Sequence, residues 1–254
     1  MSIPDDHPDF INALARGLSV IRCFGRGADT MTLSEVAHRT GLTRGTARRF
    51  LLTLEALGYV GMDGNTFRLL PKVLDLGYSY LASVPLWEKA QPYMKSIVDE
   101  IDESCSLAVL DGTDVVYLAR VPPTHMFTIP VHVGTRMPAF VNAMGRVLLA
   151  ELDEAALAQY FSRATLKTLT PYTVIDPDAI REILRQVRAQ GYAMPEHEVY
   201  EGRRSLAVPI RSRSGEVVAS MNISAMMSRA SREDFLERFL PLLKDAATAI
   251  GRSF

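Results

Sequence analysis

LSEVAHRTGLTRGTARRFLLTLEAL, residues 33–57, is the stretch that decides the fold, because it predicts two short helices that meet at a glycine. Apolar residues recur at helical spacing before Gly41, which permits a left-handed turn, and Thr43 is a good N-cap for the second helix. Small residues where the helices must cross closely indicate a helix-turn-helix rather than an ordinary helical hairpin. The second helix turns one apolar face toward a core, through Ala47, Phe50, Leu51, Leu54 and Leu57.

The outward face of the second helix is rich in arginine. From Arg39 through Phe50 there are four arginines and no acid, and three of them, Arg44, Arg48 and Arg49, belong to this helix. Residues 11–72 hold nine lysines and arginines against four acids, a local net charge of +5, in a chain whose formal net charge is −1. Arginines near a helix N-terminus suit phosphates and guanine edges, whereas the alternative is a solvated basic face. We predict a DNA-binding surface formed by Thr43, Arg44, Gly45, Thr46, Arg48 and Arg49.

A β-hairpin follows this motif, because strand-forming residues flank Asp63-Gly64-Asn65. The hairpin is interpreted as a wing, and Arg68 on its returning strand is expected near the phosphate backbone, with a solvated strand arginine as the alternative. Residues 1–10 contain three aspartates and two prolines and are predicted to be a disordered lead-in. Residues 11–70 form the predicted winged helix-turn-helix domain.

The remaining chain predicts a second domain, as a length of 254 residues and 48% hydrophobic content favour two domains. Residues 71–84 predict a linker helix, and residues 85–254 mix strands with helices, which makes the fold class α+β. A strand is also a candidate at 127–133, where Pro130 places it at an edge. The clearer strands are predicted at 105–110, 115–119, 205–211 and 217–224, and the helices at 141–152, 154–161, 178–190 and 232–250.

Composition argues against several classes of protein. Cys23 and Cys105 are far apart, which fits reduced thiols in a cytoplasmic protein. No apolar run reaches the roughly 18–20 residues of a membrane span, and the first ten residues are acidic where a signal peptide would be basic, so no membrane partner is expected. Glu196-His197-Glu198 is a dense cluster of acids and histidine, but no catalytic or phosphate-binding motif accompanies it. We therefore expect no enzyme, cofactor or metal, with a metal role for His197 as the alternative.

Several segments together resemble the IclR family of bacterial transcription regulators: INALARGLSVIRCF, TLSEVAHRTGLTRGTARRFLLTLEALGYV, FRLLPKVLDLGYSYL, GTRMPAFVNAMGRVLLA and GRRSLAVPIRSRSGEVVASMNIS. The resemblance covers residues 10–252. SLAVPIRSRSGEVVASMNIS and ESCSLAVLDGTDVVYLARV look most like the branch that regulates the protocatechuate and β-ketoadipate pathway of aromatic catabolism.

This resemblance implies a winged helix-turn-helix domain joined by a linker helix to a GAF-like α/β effector-binding domain. It also implies homodimers, in some members dimers of dimers, that bind palindromic or repeated sites in operator DNA. In the family a small ligand lies between the sheet and the helix after the GTRMPAF-like loop, and the branch suggests β-ketoadipate or protocatechuate. Carried over onto this chain, Ala143 and Met144 offer backbone N–H groups, and Ser205, Asn222 and Ser224 face the ligand from two strands.

The residues themselves support a carboxylate ligand. Asn222 and Ser224 share one face of a strand, where a polar pair needs a ligand, a water or a partner within the sheet. A buried guanidinium likewise needs an anion. Arg203 and Arg204 point to opposite faces, so we assign Arg203 to the pocket and expect Arg204 at the surface. The predicted effector site is Arg136, Ala143, Met144, Arg203, Ser205, Asn222 and Ser224.

Two alternatives remain open at this point. One is a related regulator of another carbon-source pathway that senses a short keto acid. Members of that kind tend to carry an apolar side chain where this chain has Arg203, which favours a larger ligand or a second carboxylate. The other is a DNA-binding protein whose C-terminal domain is an enzyme.

Overall fold

The computed structural model describes residues 7–25, 27–83, 86–125 and 131–253. They form two compact units, which divide after Ser83, and each unit has a hydrophobic core of its own. Most of the expected lead-in (residues 1–10) and most of the strand expected at 127–133 lie outside the described residues. The same holds for residue 84, the last of the expected linker, and for residue 85. No helix within the described ranges is long and apolar enough to cross a membrane.

The first unit is helical with a small sheet. A 3-10 turn at Pro71–Val73 leads into its last helix, where the linker was expected. The elements are α1 (Asn12–Arg22), β1 (Thr30–Thr32), α2 (Leu33–Thr40), α3 (Arg44–Ala56), β2 (Val60–Asp63), β3 (Thr66–Leu69) and α4 (Leu74–Ser83).

Helices α2 and α3 form the predicted helix-turn-helix. Thr32 begins α2 in a capping box, in which its N–H donates to Glu35 Oε2 at 2.7 Å and its Oγ1 accepts from the Glu35 N–H at 3.4 Å. Gly41 ends α2 in the left-handed region, with φ of 67°. Thr43 then begins α3, since its Oγ1 accepts from the Thr46 N–H at 3.2 Å. The predicted turn and N-cap are confirmed.

The core of this unit collects one apolar face from each helix. Val20 of α1, Val36 of α2 and Leu51 of α3 are fully buried, together with Val60 at the start of β2. The prediction that Leu57 belongs to this core was wrong, because α3 ends at Ala56 and the Leu57 side chain is 52% exposed.

The wing is an antiparallel hairpin of β2 and β3, with Gly64 at positive φ in its turn, as predicted. The prediction missed β1, which pairs with the other edge of β3 and places Met31 beside Phe67. A strand of three residues is too short to show a period of two in the sequence.

The second unit is built on one sheet with helices on its faces. Its elements are α5 (Leu86–Ile101), β4 (Ser104–Asp111), β5 (Asp114–Val121), β6 (Arg136–Pro138), α6 (Ala143–Ala150), α7 (Glu154–Arg163), α8 (Pro177–Gln190), β7 (Arg203–Arg211), β8 (Val217–Met226), a π-helical turn (Asp234–Phe239) and α9 (Leu240–Gly251).

The sheet has the order β6-β5-β4-β8-β7, and every neighbouring pair is antiparallel. Helix α6 is buried along its whole length and shares a core with Ala207, whereas the alternate residues Leu206 and Val208 are buried toward the opposite face. Helices α5 and α9 contact each other and the sheet. Both faces of the sheet are therefore covered, and the predicted α+β class is confirmed.

Capping residues set the ends of the long helices. Asp176 Oδ2 accepts from the Ala179 N–H at 2.8 Å to begin α8, and Gly191 ends it with φ of 76°. Ser231 and Asp234 exchange hydrogen bonds before the C-terminal helical segment, so the predicted cap at Ser231 is confirmed.

Candidate functional site

The predicted DNA-binding residues occupy the first turns of α3. Thr43, Arg44, Gly45, Arg48 and Arg49 are exposed, and Thr46 is half-buried beside the N-cap. Among the residues that the structure describes, none of these arginines has a carboxylate within ion-pair distance. The helix therefore presents uncompensated positive charge to solvent.

The wing contributes one more exposed arginine. Arg68 lies on β3 opposite Gly61 of β2 and Thr30 of β1. Arg68 and α3 belong to the same unit, but Arg68 lies on a different secondary-structure element, β3.

A cavity in the second unit lies over one face of the sheet, beside the N-terminus of α6. Its empty volume is about 540 Å³, counting the space at its mouth. Strands β4, β5, β7 and β8 form its floor, and residues 195–200 form part of its wall. The lining residues are Ser104, Ser106, Tyr117, Arg120, Val131, Met137, Asn142, Ala143, Pro195, Glu198, Val199, Tyr200, Arg203, Ser205, Asn222 and Ser224.

The strand register explains why this floor is polar. Ser224 of β8 stands between Ser104 of β4 and Ser205 of β7, and two residues away Asn222 stands beside Ser106. Alternate residues of a strand share a face, so all five polar side chains point into the cavity.

The predicted effector residues divide into two groups. Ala143, Arg203, Ser205, Asn222 and Ser224 line the cavity. Ser205 Oγ and Ser224 Oγ are hydrogen-bonded to each other at 2.8 Å, so these two hydroxyls do follow the alternative of pairing within the sheet. The Asn222 amide makes no side-chain hydrogen bond with the described residues, and its Oδ1 is buried.

Arg136 and Met144 do not line the cavity, contrary to the prediction. Arg136 lies on the edge strand β6, where its Nη1 donates to Asp111 Oδ2 at 2.7 Å and its Nε to Asp114 Oδ2 at 3.1 Å. These hydrogen bonds raise the pKa of Arg136. The Met144 N–H donates to Asn142 Oδ1 at 2.9 Å, so the N-cap of α6 already satisfies it.

Arg204 was expected at the surface, and this was wrong. It points away from the cavity, as predicted, but it is buried, and its Nε donates to Glu196 Oε1 at 2.9 Å. Its guanidinium also lies 5.4 Å from the centre of the Phe235 ring. Despite the desolvation of Glu196, the hydrogen bonds and charges of Arg204 and Arg232 lower the pKa of its carboxyl group.

The side chains of Glu196, His197 and Glu198 make hydrogen bonds to other residues of the chain. Both oxygens of Glu198 accept from Arg146, at 2.6 and 2.7 Å, and this pair is almost fully buried. His197 Nδ1 accepts from the Gly202 N–H at 3.0 Å. In the described part of the chain no three His, Cys, Asp or Glu side chains are placed to hold a metal ion.

Sequence reasoning missed Arg120, Tyr117 and Asn142. Asn142 Nδ2 donates to the Tyr117 hydroxyl at 3.0 Å, and burial raises the pKa of Tyr117. Arg120 lies on β5 opposite Ser106 of β4, and Ser106 in turn lies opposite Asn222 of β8. The alternating pair Ser104 and Ser106 could have indicated a polar floor, but which residue of β5 lies beside Ser106 depends on a register shift between β4 and β5.

The cavity carries unbalanced positive charge. Arg120 and Arg203 are partly buried, and burial lowers the pKa of both guanidinium groups, with a smaller contribution to Arg120 from the like charge of Arg203. Arg120 Nη2 and Arg203 Nε are buried without a hydrogen-bond partner among the described residues. Two cationic side chains that face a cavity and form no ion pair with a described carboxylate suit an anionic ligand.

A winged helix-turn-helix with free arginines in one unit, and a cation-lined cavity in the other, define a DNA-binding regulator with a ligand-binding domain. Family models match both units. The IclR helix-turn-helix domain matches residues 13–64, and the C-terminal domain of the bacterial transcriptional regulator IclR matches residues 78–252. The chain belongs to the IclR family of bacterial transcriptional regulators, which confirms the resemblance.

Similar proteins include regulators with known names or ligands. The Pca regulon regulatory protein of Pseudomonas putida is 43% identical over 241 residues, which cover 94% of this chain and 83% of that protein. The crystal structure of a transcriptional regulator from Rhodococcus sp. RHA1 has a TM-score of 0.86 and 45% identity, and covers 96% of this chain and 98% of its own. An IclR homologue from Microbacterium hydrocarbonoxydans, crystallised with 4-hydroxybenzoate, has a TM-score of 0.84 and 26% identity, over 94% of this chain and 98% of its own.

Proposed function

We propose that this protein binds operator DNA as a homodimer and controls genes of aromatic-acid breakdown in response to a small carboxylate. The observation that carries the proposal is Arg203, a partly buried guanidinium that lines a cavity and has no hydrogen bond or ion pair with a carboxylate among the described residues. A buried cation of this kind is stabilised by an anion that enters the cavity. The protein acts in the cytoplasm, without catalysis, cofactor or metal.

The DNA-reading element is α3. Arg44, Arg48 and Arg49 project from its first turns, where they reach guanine edges and phosphates in the major groove, and Arg68 of the wing reaches the adjacent backbone. One such helix is a small interface for specific binding at physiological salt. Two copies bound to a palindromic or repeated site supply the missing contacts, with half-sites about 10 base pairs apart or a multiple of that.

Exposed apolar side chains of the first unit support a homodimer. Ile11 and Leu14 of α1 are 66% and 61% exposed, and Leu74 and Tyr78 of α4 are 70% and 64% exposed. Large apolar side chains grouped on helices favour burial against a partner chain. A dimer of dimers is the larger assembly that the same reasoning allows, and light scattering distinguishes the two.

Two features support an aromatic-pathway carboxylate as the effector. Ala143 lines the cavity at the N-terminus of α6, where the helix dipole favours an anion. Similar proteins carry names that refer to the Pca regulon and to 4-hydroxybenzoate. β-Ketoadipate and protocatechuate are accordingly the leading candidates, held by Ala143, Arg203, Ser205, Asn222 and Ser224.

Ligand binding reaches the DNA-binding unit through α4, which connects the two units in the sequence. The effector changes operator affinity only by its different affinities for the DNA-bound and released geometries. The usual scale of such coupling is about 1–3 kcal/mol, or roughly 5- to 150-fold in operator affinity.

The test is a fluorescence anisotropy titration of the purified protein on a labelled operator obtained by selection from random DNA. We expect β-ketoadipate or protocatechuate to shift the operator affinity, and Arg203→Gln to weaken that response. Arg211→Gln is the matched control, because Arg211 pairs with Glu151 outside the cavity. An operator affinity that neither acid changes would overturn the proposed effector, and failure to select any operator would overturn the proposed DNA binding.

A further inference from the structure

The carboxylates near the cavity are already committed to other arginines. Glu198 forms part of the cavity wall, but both of its oxygens accept hydrogen bonds from Arg146. Glu103 attracts Arg203 through space, but its Oε1 accepts from Arg229 Nε at 2.5 Å. Each of these acids therefore has an arginine of its own.

Glu103 also faces a second basic side chain. His125 Nε2 lies 3.5 Å from Glu103 Oε2. Glu103 Oε2 is buried without a hydrogen-bond partner in the described residues, and Glu103 acts on Arg203 only through space.

Arg120 and Arg203 are thus two positive charges in one cavity. They approach it from β5 and β7, which lie on opposite sides of β4 and β8. Three strand spacings separate their backbones by roughly 14 Å. Neither guanidinium has a hydrogen bond or an ion pair with a carboxylate in the described ranges, and the two repel each other.

Each arginine has hydroxyl groups beside it. Ser106 is the cross-strand neighbour of Arg120. Ser205 is two residues from Arg203 on the same face of β7 and lies opposite Ser224. The cavity therefore has two separate ends at which a guanidinium and a hydroxyl can hold a carboxylate.

We propose that Arg120 is the residue by which the cavity distinguishes a dicarboxylate, the class to which β-ketoadipate belongs, from a monocarboxylate. This inference rests on the proposed function and assigns a specificity-determining residue to its effector site. A single carboxylate would neutralise one guanidinium and leave the other desolvated beside it, which is costly. A second carboxylate supplies the missing negative charge and offsets the repulsion between the two guanidinium groups.

The experiment compares acids of equal chain length by isothermal titration calorimetry with the full-length protein at pH 7. The dicarboxylates succinate, glutarate, adipate and pimelate are matched with butyrate, pentanoate, hexanoate and heptanoate. At this pH both carboxyl groups are ionised, since ordinary carboxyl pKa values lie near 4. We expect at least one dicarboxylate to bind about 10-fold or more tightly than its matched monocarboxylate, the value of one hydrogen-bonded charge.

Arg120→Gln should abolish this preference by weakening the dicarboxylate about 10-fold or more. Arg211→Gln, outside the cavity, should leave the preference unchanged, and thermal melting will verify that each variant is folded.

Three outcomes would overturn the inference. Equal binding of both acid classes would mean that the two guanidiniums share one carboxylate, and the proposed function would stand. A preference that survives in a folded Arg120→Gln variant would remove Arg120 from the selection. If no acid in either class binds, and β-ketoadipate and protocatechuate fail as well, the carboxylate effector of the proposed function falls together with the inference.

Discussion

Breaking the buried ion pair between Arg146 and Glu198 should strongly destabilise the second unit. The pair has three charge-assisted contacts: Arg146 donates to both Glu198 oxygens, and the Val174 N–H donates to Glu198 Oε2 at 3.2 Å. Glu198→Gln leaves the Arg146 charge buried without a counter-ion, and this costs about 3–5 kcal/mol. With a urea slope of about 2 kcal/mol/M, the unfolding midpoint should fall by about 1.5–2.5 M.

The assay is urea unfolding followed by tryptophan fluorescence, because Trp87, the one tryptophan in the sequence, lies on α5 of the same unit. Asp99→Asn is the control, since it removes the exposed pair with Lys95, which is worth at most about 0.5 kcal/mol. Arg146→Met combined with Glu198→Leu should recover most of the loss, as no charge then remains buried. A Glu198→Gln loss no larger than that of the control would refute the reasoning.

Three further changes test the packing and the two sites. Gly145→Ala should destabilise the second unit by about 1–3 kcal/mol in the same urea assay, because the new Cβ would collide with the carbonyl oxygen of Ala139. Gly77→Ala, with open space around it on α4, should instead stabilise its helix by up to about 1 kcal/mol in thermal unfolding. Arg136→Gln should leave effector affinity unchanged by calorimetry, and a marked loss would restore Arg136 to the site. Arg48→Ala should weaken specific operator binding by about 1–3 kcal/mol in anisotropy titrations, and an unchanged affinity would exclude it from base recognition.

The helical framework was predictable because its signals are local. The end of α2 at Gly41 and the start of α3 at Thr43 each depend on one residue type with a known backbone or capping preference. The same holds for the end of α8 at Gly191. Strand β1 and the exposure of Leu57 were not predictable in this way. The first depends on pairing with a distant strand, and the second on the residue at which α3 stops.

The cavity was predictable only where alternation along one strand was enough. Asn222 and Ser224 share a face by their spacing alone, and the opposite directions of Arg203 and Arg204 follow from the same rule. Arg120 required the register between β4 and β5, which contains a shift that no local pattern shows.

The arginines of the second unit show why charge and burial alone do not identify a functional residue. Arg146 and Arg204 are the more deeply buried, and by burial they would rank above Arg120 and Arg203. Their partners reverse that order, because Arg146 and Arg204 each have a carboxylate within hydrogen-bond distance, whereas the two cavity arginines have none in the described residues. An ion pair that is complete within the chain has little to offer a ligand. An arginine that folding leaves without an ion pair can still pair with an anion that enters from outside the chain.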